Sequence, residues 1–199
     1  MRKATARVSF GASIMATVVV GGIVLAGPVE DAAAAYKRGD YATAMRLFRP
    51  LADDGDASAQ VVLGFMYKRG QGVPQDYAAA VRWYRLAAEQ GDASAQADLG
   101  FMYEMGQGTT QDYAEAVRWY RLAADQGVAT AQAALGFMYE AGRGVPQNDV
   151  LAHMWFGVSA ARGFQPAAAL RDLLVDRMTP AQIAEAQKLA REWKPAAGR

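Results

Sequence analysis

The fold is decided by residues 59–91, which read AQVVLGFMYKRGQGVPQDYAAAVRWYRLAAEQG. The pattern returns at residues 95–127 as AQADLGFMYEMGQGTTQDYAEAVRWYRLAADQG, and at residues 131–163 as AQAALGFMYEAGRGVPQNDVLAHMWFGVSAARG. The spacing is 36 residues, and the windows 59–94 and 95–130 differ at 10 of 36 positions, so that 26 are identical. A fixed period of this length is typical of a repeat protein, whose units stack to form one continuous core.

The first half of each unit predicts an α-helix. In the first unit, Ala59, Leu63, Met66 and Tyr67 lie at positions i, i+4, i+7 and i+8, which places them in one apolar stripe. We expect this helix to run from about residue 57 to residue 69. The Gly-x-Gly-Val-Pro segment that follows ends it, because glycine adopts the left-handed conformation freely and proline cannot continue a helix.

The second half of each unit predicts another helix, which begins at Asp76 in the first unit. A carboxylate at this position suits the exposed N–H groups and the positive end of the helix dipole. Small residues such as Gly64 and Ala80 allow two helix axes to approach closely. The predicted buried face of the second helix comprises Tyr77, Ala80, Trp83, Tyr84, Ala87 and Ala88, with Gly91 after its end.

Partial and diverged copies of the unit flank the three full repeats. Residues 40–49 match the second helix, and a shortened first helix is predicted near residues 30–37. Residues 165–177 predict a diverged first helix, and Thr179 with Gln182 fits a capping box at the start of a last helix. The predicted organisation is 1–26 as a signal peptide or uncleaved anchor, 27–56 as an N-terminal partial repeat or cap, 57–92, 93–128 and 129–164 as the repeats, and 165–199 as a diverged helix and a capping helix.

The repeated pattern Ala-Gln-x-x-Leu-Gly-x-Met-Tyr-x-x-Gly-x-Gly-Val-Pro-x-Asp-Tyr, with its later Trp-Tyr pair, resembles the Sel1-like repeat. Its length, its Gly-x-Gly loop and its Trp-Tyr pair separate it from the tetratricopeptide repeat, to which the Sel1-like fold is related. The resemblance covers about residues 40–163. It implies an all-α fold, a right-handed α-solenoid of stacked helix-turn-helix units, and a non-catalytic role as a scaffold or adaptor that binds proteins. The third unit departs from the pattern at Asn148, His153 and Phe156, and we expect these changes to affect local packing only.

The N-terminal segment has the three-part layout of a secretory signal. Arg2, Lys3 and Arg7 form a positive region, residues 8–26 follow without a charge, and residues 24–26 supply the short side chains that a signal peptidase recognises. The alternative is an uncleaved anchor, since the apolar run is about as long as a membrane span requires. The folded body is therefore predicted to be periplasmic or secreted, or to face the periplasm from the inner membrane, with membrane contact only through this segment.

Composition excludes several classes of function. The formal net charge is +1, and without Arg2, Lys3 and Arg7 the balance is 18 basic against 20 acidic residues. A nucleic-acid binder needs a clustered cationic face, which this balance does not indicate. The chain has no cysteine and one histidine, so disulfides, thiolate sites and multi-histidine metal sites are excluded, and we expect no cofactor. The cysteine-rich exported members of the family, which have been linked to penicillin binding, are therefore a poor match.

A stack of helical hairpins leaves a concave wall, and the first-helix positions that vary between units are candidate contacts for a protein partner. Three phenylalanines lie between these positions and are candidate anchors. In the alternative interpretation, the phenylalanine rings pack against neighbouring first helices and the charged rows are solvated faces. The predicted binding residues are Val62, Phe65, Lys68, Arg69, Asp98, Phe101, Glu104, Met105, Ala134, Phe137 and Glu140.

Two other functions remain open from the sequence. A cell-wall or carbohydrate binder would use exposed tryptophan and tyrosine rings, although the tryptophans fall in the predicted buried stripe. An unrecognised hydrolase would need polar groups around His153, for which Ser159 is the only local nucleophile. His153 occupies the position of Val81 and Val117, which predicts a partly packed or surface histidine. No Gly-x-Ser-x-Gly elbow, phosphate loop or Rossmann fingerprint occurs in the sequence, so we predict that the protein is not an enzyme.

Arginines recur on the predicted second helices. Arg85 with Glu89, and Arg121 with Asp125, have the i, i+4 spacing of ion pairs within a helix. The alternative is a basic strip that contacts anionic lipid or polysaccharide, which such pairing disfavours.

Overall fold

The computed structural model describes residues 19–20, 23–24 and 27–196. Over residues 27–196 the fold is all-α, as predicted. The helices are α1 (Pro28–Lys37), α2 (Tyr41–Asp53), α3 (Ala57–Arg69), α4 (Tyr77–Glu89), α5 (Ala93–Met105), α6 (Tyr113–Asp125), α7 (Ala129–Ala141), α8 (Asp149–Ala161), α9 (Pro166–Leu174), followed by a 3₁₀ turn (Val175–Arg177), and α10 (Pro180–Glu192). Apart from two short antiparallel strands, β1 (Val19–Val20) and β2 (Ile23–Val24), the predicted signal segment 1–26 lies outside the described residues.

The helices stack as consecutive pairs, which confirms the predicted architecture. The pairs α3 with α4, α5 with α6, and α7 with α8 have the most extensive contacts, and each second helix also packs on the first helix of the next pair. At the C-terminal end both α9 and α10 pack against α8. Thr179 forms the predicted capping box with Gln182 at the start of α10.

Side-chain caps and glycine turns set the bounds of each hairpin. Asp76 caps α4 as predicted, since its Oδ1 accepts a hydrogen bond of 2.9 Å from the backbone N–H of Ala79. Gly70 follows α3 in the left-handed conformation at φ 67°. The second glycine of each loop serves contact between units, because a Cβ at Gly108 would lie 2.2 Å from the carbonyl oxygen of Tyr77. Both glycines of the Gly-x-Gly motif adopt a positive φ, and the second one also permits the close contact with the preceding unit.

A glycine in the middle of each first helix allows a ring of the second helix to pack on its backbone. A Cβ at Gly64 would lie 2.7 Å from the ring of Tyr84, and a Cβ at Gly100 would lie 2.7 Å from the ring of Tyr120. Phe156 occupies the same place in the third repeat. The predicted close approach of the two helices is thus made by an aromatic ring against glycine.

A buried glutamine in the first turn of each repeat's first helix links that helix to the preceding one, and its recurrence at Gln60, Gln96 and Gln132 was the sequence signal for it. The Nε2 of Gln60 donates to the carbonyl oxygen of Ala52 at 3.1 Å, while its Oε1 accepts from Gln90 Nε2 at 2.8 Å. One unit later, Gln126 donates to Gln96 at the same 2.8 Å distance. The amide-to-carbonyl bonds cross between units, whereas the glutamine–glutamine bonds lie within one unit, and together they satisfy the buried amides of Gln60 and Gln96.

Candidate functional site

The predicted contact residues come together around one depression, which we call the central groove. It has a volume of about 640 Å³ and lies between α5 and α7, with Lys68 of α3 at one end and Phe164 at the other. The predicted residues that line it are Lys68, Asp98, Phe101, Glu104, Ala134 and Phe137. First helices of neighbouring repeats therefore supply its two walls.

The other five predicted residues lie outside the central groove. Val62 packs against the N-terminal part of the core, and Phe65 is partly buried with the Arg69 guanidinium 5.4 Å from its ring centroid. Met105 is exposed at the end of α5. Glu140 is held by an ion pair of 3.1 Å with Arg177. The predicted rows of residues thus divide into groove-lining and peripheral positions.

The phenylalanine row is not uniform. Phe101 and Phe137 leave 37% and 43% of their surface exposed, whereas Phe65 is more deeply packed. The ring of Phe137 contacts Phe156 edge-on with centroids 5.1 Å apart, and Lys68 Nζ lies 5.0 Å from the Phe101 centroid. Each groove ring therefore has contacts within the protein and also leaves part of its surface open to solvent.

Charged side chains of the central groove are paired within the protein. Lys68 Nζ lies 2.8 Å from Asp98 Oδ1, and the hydroxyl of Tyr120 donates to Glu104 Oε2 at 2.7 Å. Burial, and then the bond to Glu104, raises the pKa of Tyr120, so the phenol remains a donor at neutral pH. The groove consequently combines exposed rings with polar groups that are already ion-paired or hydrogen-bonded within the protein.

The tyrosine that packs on the first helix has different polar neighbours in different repeats, because the charged residue beside it changes. Tyr120 meets the carboxylate of Glu104, whereas the equivalent Tyr84 lies near Lys68 and its buried hydroxyl has no hydrogen-bond partner among the described residues. In the third repeat the ring is Phe156, which has no hydroxyl to satisfy. Only the second repeat therefore builds a phenol–carboxylate bond into the groove wall.

The residues of the hydrolase alternative do not form a catalytic pair. His153 is 3% exposed rather than partly packed or at the surface, because α9 and α10 both cover α8. The hydroxyl of Ser159 is fully buried and donates to the carbonyl oxygen of Ala129 at 2.7 Å. Burial, followed by the charge of Arg171, lowers the pKa of His153.

The tryptophans do not form a sugar-binding platform. Trp119 and Trp155 are buried, and Trp83 and Trp193 are half-buried. The ring of Trp155 packs edge-on against Trp193, with centroids 6.0 Å apart. The chain's four tryptophans thus mainly fill space between helices.

One prediction about the second helices is wrong. The Arg85 guanidinium donates to the hydroxyl of Tyr103 rather than pairing with Glu89, and Arg121 binds Tyr139 in the same way. Each arginine therefore links its own unit to the next one instead of forming an ion pair within its own helix.

Within the part of the chain that the structure describes, no cluster of three or more histidine, cysteine or carboxylate side chains is arranged to hold a metal ion. The helices of that part are all too short or too polar to cross a lipid bilayer.

Comparison with known proteins finds the same arrangement of repeated units that the structure shows. The Sel1 repeat family model matches residues 57–92, 93–128 and 129–164. A Sel1 repeat protein from Oxalobacter formigenes has a similar structure, with a TM-score of 0.71 and 32% sequence identity over 82% of this chain and 69% of that chain. The protein c5321, a protective antigen of uropathogenic Escherichia coli strains with an SLR fold, aligns with a TM-score of 0.73 and 36% identity over 82% of this chain and 37% of that chain. A search of curated proteins gave no match.

Proposed function

Since the chain belongs to the Sel1 repeat family, whose members typically mediate protein interactions, we propose that it is a non-catalytic scaffold that binds a segment of a partner protein in the central groove. The observation that carries the proposal is the pair of half-exposed rings, Phe101 and Phe137, on neighbouring first helices. Aromatic side chains in a concave surface are the usual anchors of such contacts.

The groove chemistry supports a partner segment that is mainly apolar with a few polar groups. Ala97 and Ala134 leave space between the two rings, and the nearby charges of Lys68 and Asp98 already neutralise each other. A strongly charged segment would gain little from these paired groups, whereas an amphipathic helix or an apolar peptide would bury the rings. The partner is therefore a protein and not a nucleic acid.

Binding and stability measurements on matched variants test this proposal. Phe137→Ala is expected to weaken retention of partner proteins in a pull-down from envelope extract at least tenfold, because it removes an anchor. Leu122→Ala is the control, since Leu122 is 41% exposed on α6 and lies outside the groove. The charge-reversed double variant Asp98→Lys, Glu104→Lys should also lose the partner.

The same variants decide against the proposal if the pattern differs. Equal retention by the wild type and by Phe137→Ala, or equal loss in Leu122→Ala, would show that the central groove is not the binding surface. Circular dichroism of each variant checks that helicity is preserved. Chemical denaturation separates an anchor from a core ring, because a core phenylalanine would cost about 3–5 kcal/mol on truncation to alanine.

We further propose that the scaffold acts in the cell envelope, on the basis of the positive and apolar regions within residues 1–26. Fractionation of cells that express the full chain should place it in the periplasm or medium. Mass spectrometry should then show Gly27 as the first residue. Recovery of the intact chain from the cytoplasm would contradict this location.

A further inference from the structure

A second depression, which we call the C-terminal cleft, lies between α8, α9 and α10. Its volume is about 660 Å³, within the range of small-molecule sites. Val158, Ile183 and Trp193 are among its apolar lining residues. The cleft is separate from the central groove, and the two share no lining residue.

Positive charge is in excess around this cleft. Arg162, Arg171 and Arg191 line it, against the single carboxylate of Asp172. Arg171 pairs with Asp172 at 2.7 Å, and Arg162 lies 5.4 Å from the ring centroid of Trp193. Arg191 has no ion-pair partner within residues 27–196. Unlike the central groove, the cleft therefore has guanidinium groups whose charge is not neutralised within the protein.

A buried histidine lies at the inner wall of the cleft. His153 lines it while being only 3% exposed, and its Nδ1 is buried with no hydrogen-bond partner among the described residues. The equivalent positions in the other repeats are Val81 and Val117, so the histidine is not required for packing. Buried polar atoms without partners are rare in folded proteins and call for an explanation.

We propose that the C-terminal cleft binds a carboxylate with an apolar tail. The guanidinium group of Arg191 holds the carboxylate, because planar guanidinium offers paired N–H donors that match its two oxygens. Arg171, whose Nε and Nη2 already donate to Asp172, contributes its remaining N–H groups. The apolar tail packs on Ile183 and Trp193. The imidazole of His153 lies in the wall of the cleft beside the bound molecule, so its ring resonances report on binding. This site does not depend on the function proposed for the central groove.

The single histidine provides a specific spectroscopic probe. In NMR spectra of the full chain, titration with 4-phenylbutyrate should shift the His153 ring resonance in a saturable way and raise its pKa, because the anion favours the imidazolium. The isosteric 4-phenylbutanol and 4-phenylbutylamine should give no saturable shift. Inorganic phosphate should not compete with 4-phenylbutyrate at equal concentration. A saturable shift with the alcohol, competition by phosphate, or no shift with the acid would overturn the proposal.

Peptides distinguish the two sources of such a carboxylate. N-acetyl-Leu-Phe with a free carboxyl end is expected to bind if the cleft accepts the C-terminus of a protein, and binding of 4-phenylbutyrate alone would assign the site to a small molecule. The amidated peptide should not bind in either case, because it lacks the anion. Equal binding of the acid and the amide would show that the carboxylate is not recognised.

Matched arginine variants test the role of the cleft charges. Arg171→Gln should weaken 4-phenylbutyrate binding at least tenfold, whereas Arg118→Gln should leave it unchanged. Arg118 is a suitable control because it also pairs with a neighbouring carboxylate, Glu115, at 2.8 Å, but lies on α6 away from the cleft. Equal weakening in both variants would indicate diffuse charge attraction and would overturn the proposed site. Circular dichroism confirms folding of each variant.

Discussion

The central groove and the C-terminal cleft are built from the same kind of helix, yet they satisfy their polar groups differently. In the groove, Lys68 pairs with Asp98, and Glu104 accepts from Tyr120. In the cleft, the buried His153 lacks a partner at Nδ1, and guanidinium groups outnumber carboxylates. Unpartnered buried groups occur in both parts, as Tyr84 in the first repeat shows, whereas the cleft combines one with guanidinium groups in excess of carboxylates. The difference teaches that the regular repeats favour recognition of an apolar segment, whereas the end of the array favours recognition of an anion.

Replacing a glycine beside each depression by alanine is expected to give the largest difference in stability. In Gly100→Ala the new Cβ would lie 2.7 Å from the buried Tyr120 ring, so we expect a loss of about 1–3 kcal/mol of unfolding free energy through overpacking. In Gly157→Ala, beside the cleft, the nearest atom is the Cβ of Ala190 at 3.7 Å, an ordinary contact. That variant should gain roughly 0.5–1 kcal/mol from helix propensity. Urea denaturation followed by circular dichroism measures both.

Equal effects at the two glycines would contradict the comparison. If Gly100→Ala were as stable as the wild type, the helix and ring beside the groove would have room to separate, and the groove would not be a rigid surface.

A smaller contrast is expected from two tyrosine hydroxyls. Tyr120→Phe removes the donor to Glu104 and should cost about 1–2 kcal/mol, because hydrogen bonds to charged groups are stronger than neutral ones. Tyr84→Phe removes a buried hydroxyl without a partner and should leave stability unchanged or raise it by up to about 1 kcal/mol. Thermal or urea unfolding of the two single variants tests the difference. A larger loss in Tyr84→Phe would mean that its hydroxyl is satisfied in solution.

The fold was predictable from the sequence because its determinants are local and repeated. The predicted helix over residues 57–69 matches α3, and Asp76, Gly70 and Thr179 cap helices as their types require. Each of these features depends on side chains a few positions apart. Three successive copies of one pattern reinforce the same assignment.

Contacts between units were less predictable. Arg85 was assigned to Glu89 by helical spacing, but the hydroxyl of Tyr103 in the next unit is its partner. The burial of His153 depends on α9 and α10, which both pack on α8, and the diverged sequence of residues 165–199 does not indicate which side chains of α8 they cover. The sequence did contain one usable signal. Lys68 of the first repeat is replaced by Glu104 in the second, where the hydroxyl of Tyr120 gains a carboxylate acceptor. Interpreting it required knowing which residues face each other across the hairpin.

The last expected contrast is a pH dependence of stability that separates the cleft from the equivalent places in the other repeats. Burial, and then the charge of Arg171, lowers the pKa of His153 in the folded protein below the ordinary value of 6.5. As pH falls through about 6.5, the unfolded chain binds a proton at this histidine before the folded chain does, so the folded state loses stability. The loss continues down to the folded-state pKa, at a rate of at most about 1.4 kcal/mol per pH unit.

The variant His153→Val restores the residue type found at Val81 and Val117, and it should lack this contribution. Urea unfolding of both proteins between pH 7.5 and pH 5 gives the difference in slope, in which all other titrating groups cancel to first approximation. A wild-type protein that gained stability relative to His153→Val as the pH fell would show that the imidazolium has a partner inside the cleft, and would contradict the lowered pKa of His153.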